Sequence, residues 1–185
     1  MEIMDAQRSD AARNRDRILK TARAFVDRGE PLSFNAVARA ANTGVGTVYR
    51  HFETVEILEE VLVWDRFDDL AAMIDGVTPE TFDRLLEAYL GLLVSDGMFE
   101  RTVARAATAH EHTLRLREGL VESLADVVKN AQDAGRLRRD VSAEDLLALL
   151  CGLAHSLRSL GISPATERAR QLFAVVMRGV LVTST

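Results

Sequence analysis

Thr47, Tyr49, Arg50 and His51 place four hydrogen-bonding side chains within five consecutive positions of the chain. Hydroxyl, guanidinium and imidazole groups donate hydrogen bonds to phosphate oxygens, and a guanidinium can also pair with guanine. Gly46 precedes them and lets the backbone approach a ligand closely. The residue types in this run therefore indicate binding to the phosphates and base edges of a nucleic acid.

Such side chains need a short, well-supported helix, and the surrounding residues predict one. Ser33 is a good N-cap for a helix, and Asn42 tolerates the left-handed conformation that a tight turn requires. The next helix is predicted at about 44–50. Two short helices joined by a tight turn form a helix-turn-helix, whose second helix enters the DNA major groove. The alternative is an ordinary helical hairpin with glycine turns.

The first residues of this second helix add further candidate contacts. Gly44 and Gly46 carry no side chain, and N–H groups at a helix start offer an anion site. Val45 is an apolar residue that could contact a thymine methyl group, and Thr47 offers both a hydroxyl and a methyl group. Thr54 caps the following helix, whose N–H groups could hold another phosphate.

The whole chain reads as all-α, with about nine helices and no strand-like alternation of useful length. The first helix is predicted at about 11–28, and a helix at about 54–75 follows the helix-turn-helix. Gly76 to Pro79 breaks that helix and is the predicted domain boundary. We therefore expect an N-terminal three-helix DNA-binding head with a linking fourth helix over 11–75, and a helical ligand-binding and dimerisation body over 76–185.

Charge is distributed unevenly along the chain of 185 residues. The net charge is −5, yet residues 1–52 hold nine Lys and Arg against six Asp and Glu. A basic head on an acidic body fits a protein that presents one face to phosphate. The N-terminus shows no signal-peptide core, the apolar runs are too short to span a bilayer, and Cys151 cannot form an internal disulfide. These features predict a cytoplasmic protein with no membrane partner.

The last two predicted helices, at about 142–160 and 164–182, are apolar over most of their circumference. A helix of that kind is buried on more than one side, and the simplest second partner is another copy of the chain. The alternative is a large core within one subunit. The residues predicted to form a homodimer interface are Leu146, Leu149, Leu150, Leu153, Leu157, Phe173, Val176 and Val180.

The order of motifs from Arg13 to Leu62 resembles that of the tetracycline-repressor (TetR) family of transcriptional regulators. The resemblance lies in ILKTARAFVDRGEPLSFNAVARAA, in NTGVGTVYRHF and in a helix that begins ETVEILEEVL. It implies an all-helical homodimer with an N-terminal DNA-binding head, a ligand pocket in the C-terminal body and an interface made by the last two helices. It also implies roles by position: phosphate contacts from Ser33, Thr47, Tyr49 and His51, contacts near bases or backbone from Thr43, Val45, Gly46 and Arg50, and longer-range phosphate attraction from Arg13 and Arg17.

Three positions depart from the family pattern. Asn42 stands where glycine is usual, and asparagine is the next best residue for that turn. Thr43 stands where an apolar residue is common. Val55 stands where a lysine is common, so a phosphate contact that this lysine would make is missing.

The predicted body offers few polar and aromatic side chains that could line a ligand pocket. Such pockets are mostly apolar with a few directing polar groups. The aromatic candidates also sit at core-like spacing, so core filling is the competing interpretation. Cys151 and His155 are four residues apart on one helix face, but a zinc or copper site would need further ligands, so no metal or cofactor is expected. The candidate pocket residues are Trp64, Phe67, Phe82, Tyr89, His110, Cys151 and His155.

These patterns together predict a sequence-specific transcriptional regulator, a repressor released from a palindromic operator in double-stranded DNA by a small-molecule effector. One alternative is a DNA-binding regulator that answers to a protein partner or to no ligand. The remaining alternative is a helical enzyme. The sequence contains no phosphate loop or nucleophile motif, so enzymatic activity is not expected.

Overall fold

The structure of the protein is a computed structural model that describes residues 2–105 and 107–182, with side chains described from residue 10 onward. The described chain is all-helical, as the sequence predicts, and its only strand-like pairing is an isolated bridge between Leu137 and Leu181. No helix in these ranges is long and apolar enough to cross a bilayer. The helices are α1 (Glu2–Asp27), α2 (Phe34–Ala40), α3 (Val45–His51), α4 (Val55–Val61), α5 (Trp64–Ile74), α6 (Phe82–Ser95), α7 (Gly97–Ala104), α8 (Glu111–Asp133), α9 (Ala143–Ser159) and α10 (Glu167–Val180).

The chain divides into two compact units, Met1–Leu62 and Val63–Thr185. The sequence grouped the residues up to 75 with the head, whereas α5 belongs to the second unit and packs on α8. The break predicted at Gly76 is present, since Gly76 adopts φ +72° and a 3₁₀ turn follows at Pro79–Thr81. It therefore separates two helices inside the second unit.

The first unit has a small core of aliphatic and aromatic side chains. Ile18 and Ala22 of α1 are fully buried, as are Val37 of α2 and Val48 of α3. The spacing of Ile18 and Ala22 places both on one face of α1, which leaves Arg13 and Arg17 exposed. This packing holds α3 by its inner face.

The turn between α2 and α3 has the geometry that the sequence predicts. Asn42 adopts φ +48°, the only positive φ of a non-glycine residue in the described chain. Its N–H donates to the carbonyl of Arg39 at 3.2 Å, and the N–H of Thr43 donates to the carbonyl of Ala38 at 2.9 Å. These bonds satisfy carbonyls at the end of α2 and reverse the chain toward α3.

The helix predicted over 54–75 is two helices, because the chain breaks at Leu62 and Val63. Val63 leaves the helical region with φ −115° and ψ 7°, and both residues are buried. A break leaves carbonyls without helical partners. The guanidinium of Arg23 donates to the carbonyl of Leu62 and compensates this loss.

The second unit is built around α9, which packs against α6, α7, α8 and α10. A capping box starts this helix: Ser142 Oγ accepts from the N–H of Asp145 at 3.1 Å, and Asp145 Oδ2 accepts from the N–H of Ser142 at 2.9 Å. The largest buried side chains of the unit include Tyr89, Phe82 and Phe99. This unit therefore has its own core.

The segment from Phe99 to Ala134 is not one continuous helix. α7 ends at Ala104, and α8 begins at Glu111. His110 is the N-cap of α8, and its Nδ1 accepts from the N–H of His112 at 3.0 Å. The imidazole thus stabilises the new helix start, a role that the sequence did not indicate.

Candidate nucleic-acid interface and cavity

The outer face of α3 presents the polar residues that the sequence singled out. Val48 and Phe52 are 0% and 1% exposed and fix the helix to the core. Tyr49 and Arg50 are exposed, and Thr47 and His51 are half-buried. Because seven residues make only two turns, anchoring at Val48 is enough to orient the rest.

The ring of Tyr49 packs edge-on against the ring of Phe34, with the centroids 4.7 Å apart. Tyr49 remains 57% exposed, so its hydroxyl is open to solvent while the ring is held at one edge. Phe34 is therefore a positioning residue for Tyr49. The sequence did not reveal this pair, because fifteen positions separate two residues on different helices.

Arg50 folds back along α3 instead of extending into solvent. Its Nη2 donates to Oγ1 of Thr47 at 3.0 Å, and its Nε donates to the carbonyl of Gly46 at 3.2 Å. The guanidinium thus lies along the first turn of α3, beside Gly46 and Thr47. Three of the predicted contact residues therefore form one hydrogen-bonded group.

Ser33 and Thr54 act as N-caps of α2 and α4. Ser33 Oγ accepts from the N–H of Ala36, and Thr54 Oγ1 accepts from the N–H of Ile57, both at 3.2 Å. A hydroxyl group has one proton in addition to its acceptor lone pairs. Both exposed side chains can therefore cap a helix and still donate to a phosphate.

Arg13 and Arg17 lie exposed on α1, where Arg13 pairs with Asp10 and Arg17 Nη2 donates to Asn14 Oδ1 at 2.8 Å. Arg15 lies with its guanidinium 5.6 Å from the ring centroid of Phe52, a distance at which cation–π attraction operates. This contact ties α1 to the end of α3. Arg13 and Arg17 of α1 therefore lie outward, whereas Arg15 and Arg23 make structural contacts.

Arg39 is a further basic residue near this surface, and it is not among the DNA-contact residues predicted from the sequence. It is exposed on α2, and its guanidinium makes no recorded hydrogen bond or ion pair among the described residues. A basic residue in the last turn of α2, just before the turn to α3, could have been predicted from the sequence as a phosphate contact. Arg39 therefore joins the candidates for a phosphate contact.

Most of the predicted pocket residues lie in the core. Phe82 and Tyr89 are 0% and 1% exposed, and the ring of Phe67 packs edge-on against Phe99 with centroids 5.0 Å apart. The Tyr89 hydroxyl is buried without a recorded hydrogen-bond partner, and this burial raises the pKa of Tyr89 well above its usual value. Core filling, the competing interpretation, thus describes where these aromatic rings lie.

Trp64 is held by a polar contact and two imidazole rings. Its Nε1 donates to Oγ1 of the buried Thr113 at 2.9 Å. The rings of His110 and His112 stand edge-on to the indole, with centroids 5.0 and 4.5 Å away. Although two residues apart, both imidazoles reach the indole, because His110 precedes α8 and His112 lies within it.

Cys151 and His155 share a helix but differ in their surroundings. Cys151 is 6% exposed, whereas His155 is exposed. Burial, assisted by the charge of Glu100, raises the pKa of the Cys151 thiol to about 12. In the described residues no three His, Cys, Asp or Glu side chains are grouped closely enough to hold a metal ion.

The described residues of the second unit line at least two concavities. One, of about 190 Å³, lies between α7, α8 and α9, and Cys151 is part of its wall. The other, of about 250 Å³, lies between α5 and α8, and Phe67 is part of its wall. Of the predicted pocket residues, only these two line either concavity.

Burial divides the predicted dimer residues into two groups. Leu146, Leu150 and Leu157 are fully buried within their own chain, and Val180 is 5% exposed, so these four cannot also face a second copy. Their assignment to an interface is wrong, because one apolar face of α9 and α10 is used by the core of the subunit itself. The residues that remain at least partly accessible are Leu149, Leu153, Phe173 and Val176.

Comparison with known proteins places this arrangement among bacterial regulators. Residues 82–182 match the family described as the C-terminal domain of SbtR-like transcriptional regulators. The HTH-type transcriptional regulator SAR0097 of Staphylococcus aureus (strain MRSA252) is 32% identical over 77 residues, which span 40% of this chain and 40% of that relative.

Two solved structures share the fold over nearly their whole length. The TetR transcription regulatory protein of Mycobacterium vanbaalenii is 25% identical, with 95% of this chain and 99% of that chain covered and a TM-score of 0.51. NalD, the secondary repressor of the MexAB-OprM multidrug efflux pump in Pseudomonas aeruginosa, is 18% identical, with 95% and 100% covered and a TM-score of 0.61. With the family match over more than half of its length, this chain belongs to the TetR family of transcriptional regulators.

Proposed function

We propose that this regulator is a homodimeric repressor that binds a palindromic operator and releases it when a small molecule binds the second unit. The observation that carries the proposal is the face of α3. Buried Val48 and Phe52 anchor this helix, while Tyr49, Arg50 and the backbone at Gly46 are presented outward. A short helix anchored on one side and polar on the other suits insertion into a major groove.

Within that proposal the side chains divide between positioning and reading. Four side chains donate to phosphates and set the register of the head on the duplex: Ser33, Thr47, Tyr49 and His51. Arg50 reaches guanine or a phosphate, and Val45 contacts a thymine methyl group.

The remaining contacts come from backbone and from flanking helices. Thr43, Gly44 and Gly46 let the start of α3 lie close to the duplex, and Thr54 donates at the start of α4. Arg13 and Arg17 add longer-range attraction to the phosphate backbone.

The second copy is proposed to cover the apolar residues that α9 and α10 leave outside the core. Leu149 is 41% exposed and Val175 is 57% exposed, while Leu153, Phe173 and Val176 are partly exposed. In an isologous dimer, this patch on one subunit packs against the same patch on the second subunit. The two-fold symmetry of the dimer then corresponds to the two-fold symmetry of a palindrome.

Release by a ligand follows from coupling between two states. A molecule that binds one dimer conformation more tightly shifts the equilibrium toward that conformation. If the two heads of that conformation are spaced wrongly for the operator, they cannot occupy both half-sites. The chain passes from the first unit to the second at Leu62 and Val63, so this junction transmits the change.

The test is selection of bound genomic fragments by purified protein at one fixed salt concentration. Enrichment of a short palindrome, lost in Tyr49→Phe but retained in a control such as Thr21→Val on α1, supports the proposal. Enrichment of a single asymmetric half-site would argue against the dimeric mode. Absence of any enriched sequence would argue against sequence-specific binding by the unliganded protein.

A further inference from the structure

The concavity between α7, α8 and α9 is lined almost entirely by hydrocarbon. Its volume of about 190 Å³ is smaller than the roughly 300–1,000 Å³ of sites for drug-sized molecules, so its occupant is small. Cys151 adds a thiol that is uncharged at neutral pH, because burial raises its pKa to about 12. The aliphatic wall residues are Val103, Ala104, Leu120, Val121, Leu147 and Ala148.

Among the described residues that line this cavity, Arg117 is the one cation. It is half-buried, and its guanidinium has no recorded hydrogen bond or ion pair among the described residues. Nearby arginines differ in this respect, since Arg115 pairs with Glu111 at 2.5 Å and Arg158 pairs with the buried Glu100. A half-buried arginine that lines a mostly apolar cavity and is not paired with a carboxylate of the protein can bind the carboxylate of a ligand through two parallel hydrogen bonds.

Of the wall residues that the structure describes, only Glu144 is acidic, and it restricts the charge that the ligand can carry. It is exposed in the first turn of α9, where water and the helix N-terminus stabilise its carboxylate. It therefore does not need Arg117 as a partner. A second negative charge on the ligand would be repelled by Glu144, so the site favours one anionic group and an apolar remainder.

We infer that this cavity binds a small apolar monocarboxylic acid, with the carboxylate on Arg117 and the hydrocarbon against the α7, α8 and α9 walls. The inference rests on the proposed function, in which a small molecule binds the second unit. It adds the chemical class of that molecule and the residue that selects it.

The experiment is calorimetric titration of the full-length protein with octanoate, and with 1-octanol and octylamine as neutral and cationic analogues. Octanoate is expected to bind at least about tenfold more tightly than 1-octanol, because only the carboxylate pairs with a guanidinium. In Arg117→Gln this preference should disappear while 1-octanol binding stays the same. Arg115→Gln, two residues away on α8 and facing the other concavity, is the matched control and should retain the preference.

A second variant tests the location independently of charge. Ala148→Phe adds volume at an exposed wall residue of α9, so it should weaken octanoate and 1-octanol alike without lowering the thermal midpoint of the free protein. Equal binding of octanoate and 1-octanol, a loss of preference in Arg115→Gln, or no binding of straight-chain acids from butanoate to dodecanoate would each overturn the inference.

Operator binding, measured in parallel, separates the two proposals. A protein that binds a palindrome but no monocarboxylic acid retains the proposed repressor activity and refutes the ligand class. A protein that binds octanoate through Arg117 but keeps its operator fully bound supports the cavity assignment and refutes release by this ligand.

Discussion

Arg50 Nη2 donates a hydrogen bond to Thr47 Oγ1 at 3.0 Å, across one turn of α3. The hydroxyl that we assign to phosphate thus also holds the guanidinium that we assign to a base or a phosphate. An arginine held in this way loses less side-chain entropy when it binds DNA than one that extends freely into solvent. The two residues should therefore act as a unit.

A double-mutant cycle on Thr47→Val and Arg50→Gln tests that unit. Each single variant should weaken operator binding by about 1–3 kcal/mol, as expected for loss of a specific base or phosphate contact. The double variant should lose less than the sum, with a coupling of about 0.5 kcal/mol or more. Fluorescence anisotropy at fixed salt measures all four affinities.

The control for loss of a threonine hydroxyl is Thr21→Val, since the Thr21 hydroxyl donates within α1 to the carbonyl of Arg17. Strict additivity would show that the two residues act independently.

Restoring a lysine at Val55 should increase affinity for DNA. Val55 is the first residue of α4, directly after the capping Thr54, and is half-buried. A lysine there adds one phosphate contact, so Val55→Lys should bind operator and random DNA more tightly and increase the salt slope by about one unit. Val55→Gln has a similar length without charge and should leave the slope unchanged. An unchanged slope for Val55→Lys would mean that this position does not reach the backbone.

Local rules predicted the head well because its decisive signals are close together in sequence. Ser33 caps α2 and Asn42 takes the left-handed turn position, as their residue types predict, and the apolar Val48 and Phe52 are buried. These signals span only twenty positions, so no long-range pairing was needed to interpret them.

The features that the sequence did not reveal depend on partners distant in the chain. The break at Leu62 lies within an unbroken apolar pattern, and its carbonyl is satisfied by Arg23, thirty-nine positions away. The spacing of apolar residues along α9 likewise could not distinguish a face packed in the core from a face packed in a dimer interface, because both kinds of face are rich in leucine.

Asn42 should contribute to stability through its backbone conformation. An alanine at φ +48° is strained, so Asn42→Ala should lower the free energy of unfolding by about 1 kcal/mol, whereas Asn42→Gly should lower it little or not at all. Urea unfolding followed by circular dichroism gives both values. Asn35→Ala, at an exposed helical position of α2, should cause no loss, because alanine favours helix. Equal stability of the two alanine variants would remove the turn as the cause.

Cys151 should react slowly with thiol reagents across the physiological range. The thiolate is the reactive form, and a pKa near 12 leaves almost all of the buried thiol protonated at neutral and mildly alkaline pH. Modification by iodoacetamide should therefore stay slow up to about pH 9, where an ordinary thiol with a pKa of about 8.5 is mostly ionised. His155→Cys in a Cys151→Ala background places a thiol at an exposed position one turn away and should react much faster. Equal rates would show that the Cys151 site opens readily.

A single negative charge on the outer face of α10 should dissociate the proposed dimer. Val176 is partly exposed, and a carboxylate there would be buried without a partner in the dimer, so Val176→Glu should raise the dimer dissociation constant by about tenfold or more. Ala174→Glu adds the same charge two residues away, on the opposite side of the helix, and should leave the dimer intact. Light scattering coupled to size exclusion measures the mass of each variant, and circular dichroism confirms that both remain folded. A folded Val176→Glu monomer should also lose affinity for the full palindrome while still binding a half-site weakly. If it stays dimeric like Ala174→Glu, the second copy does not bind through this face of α10.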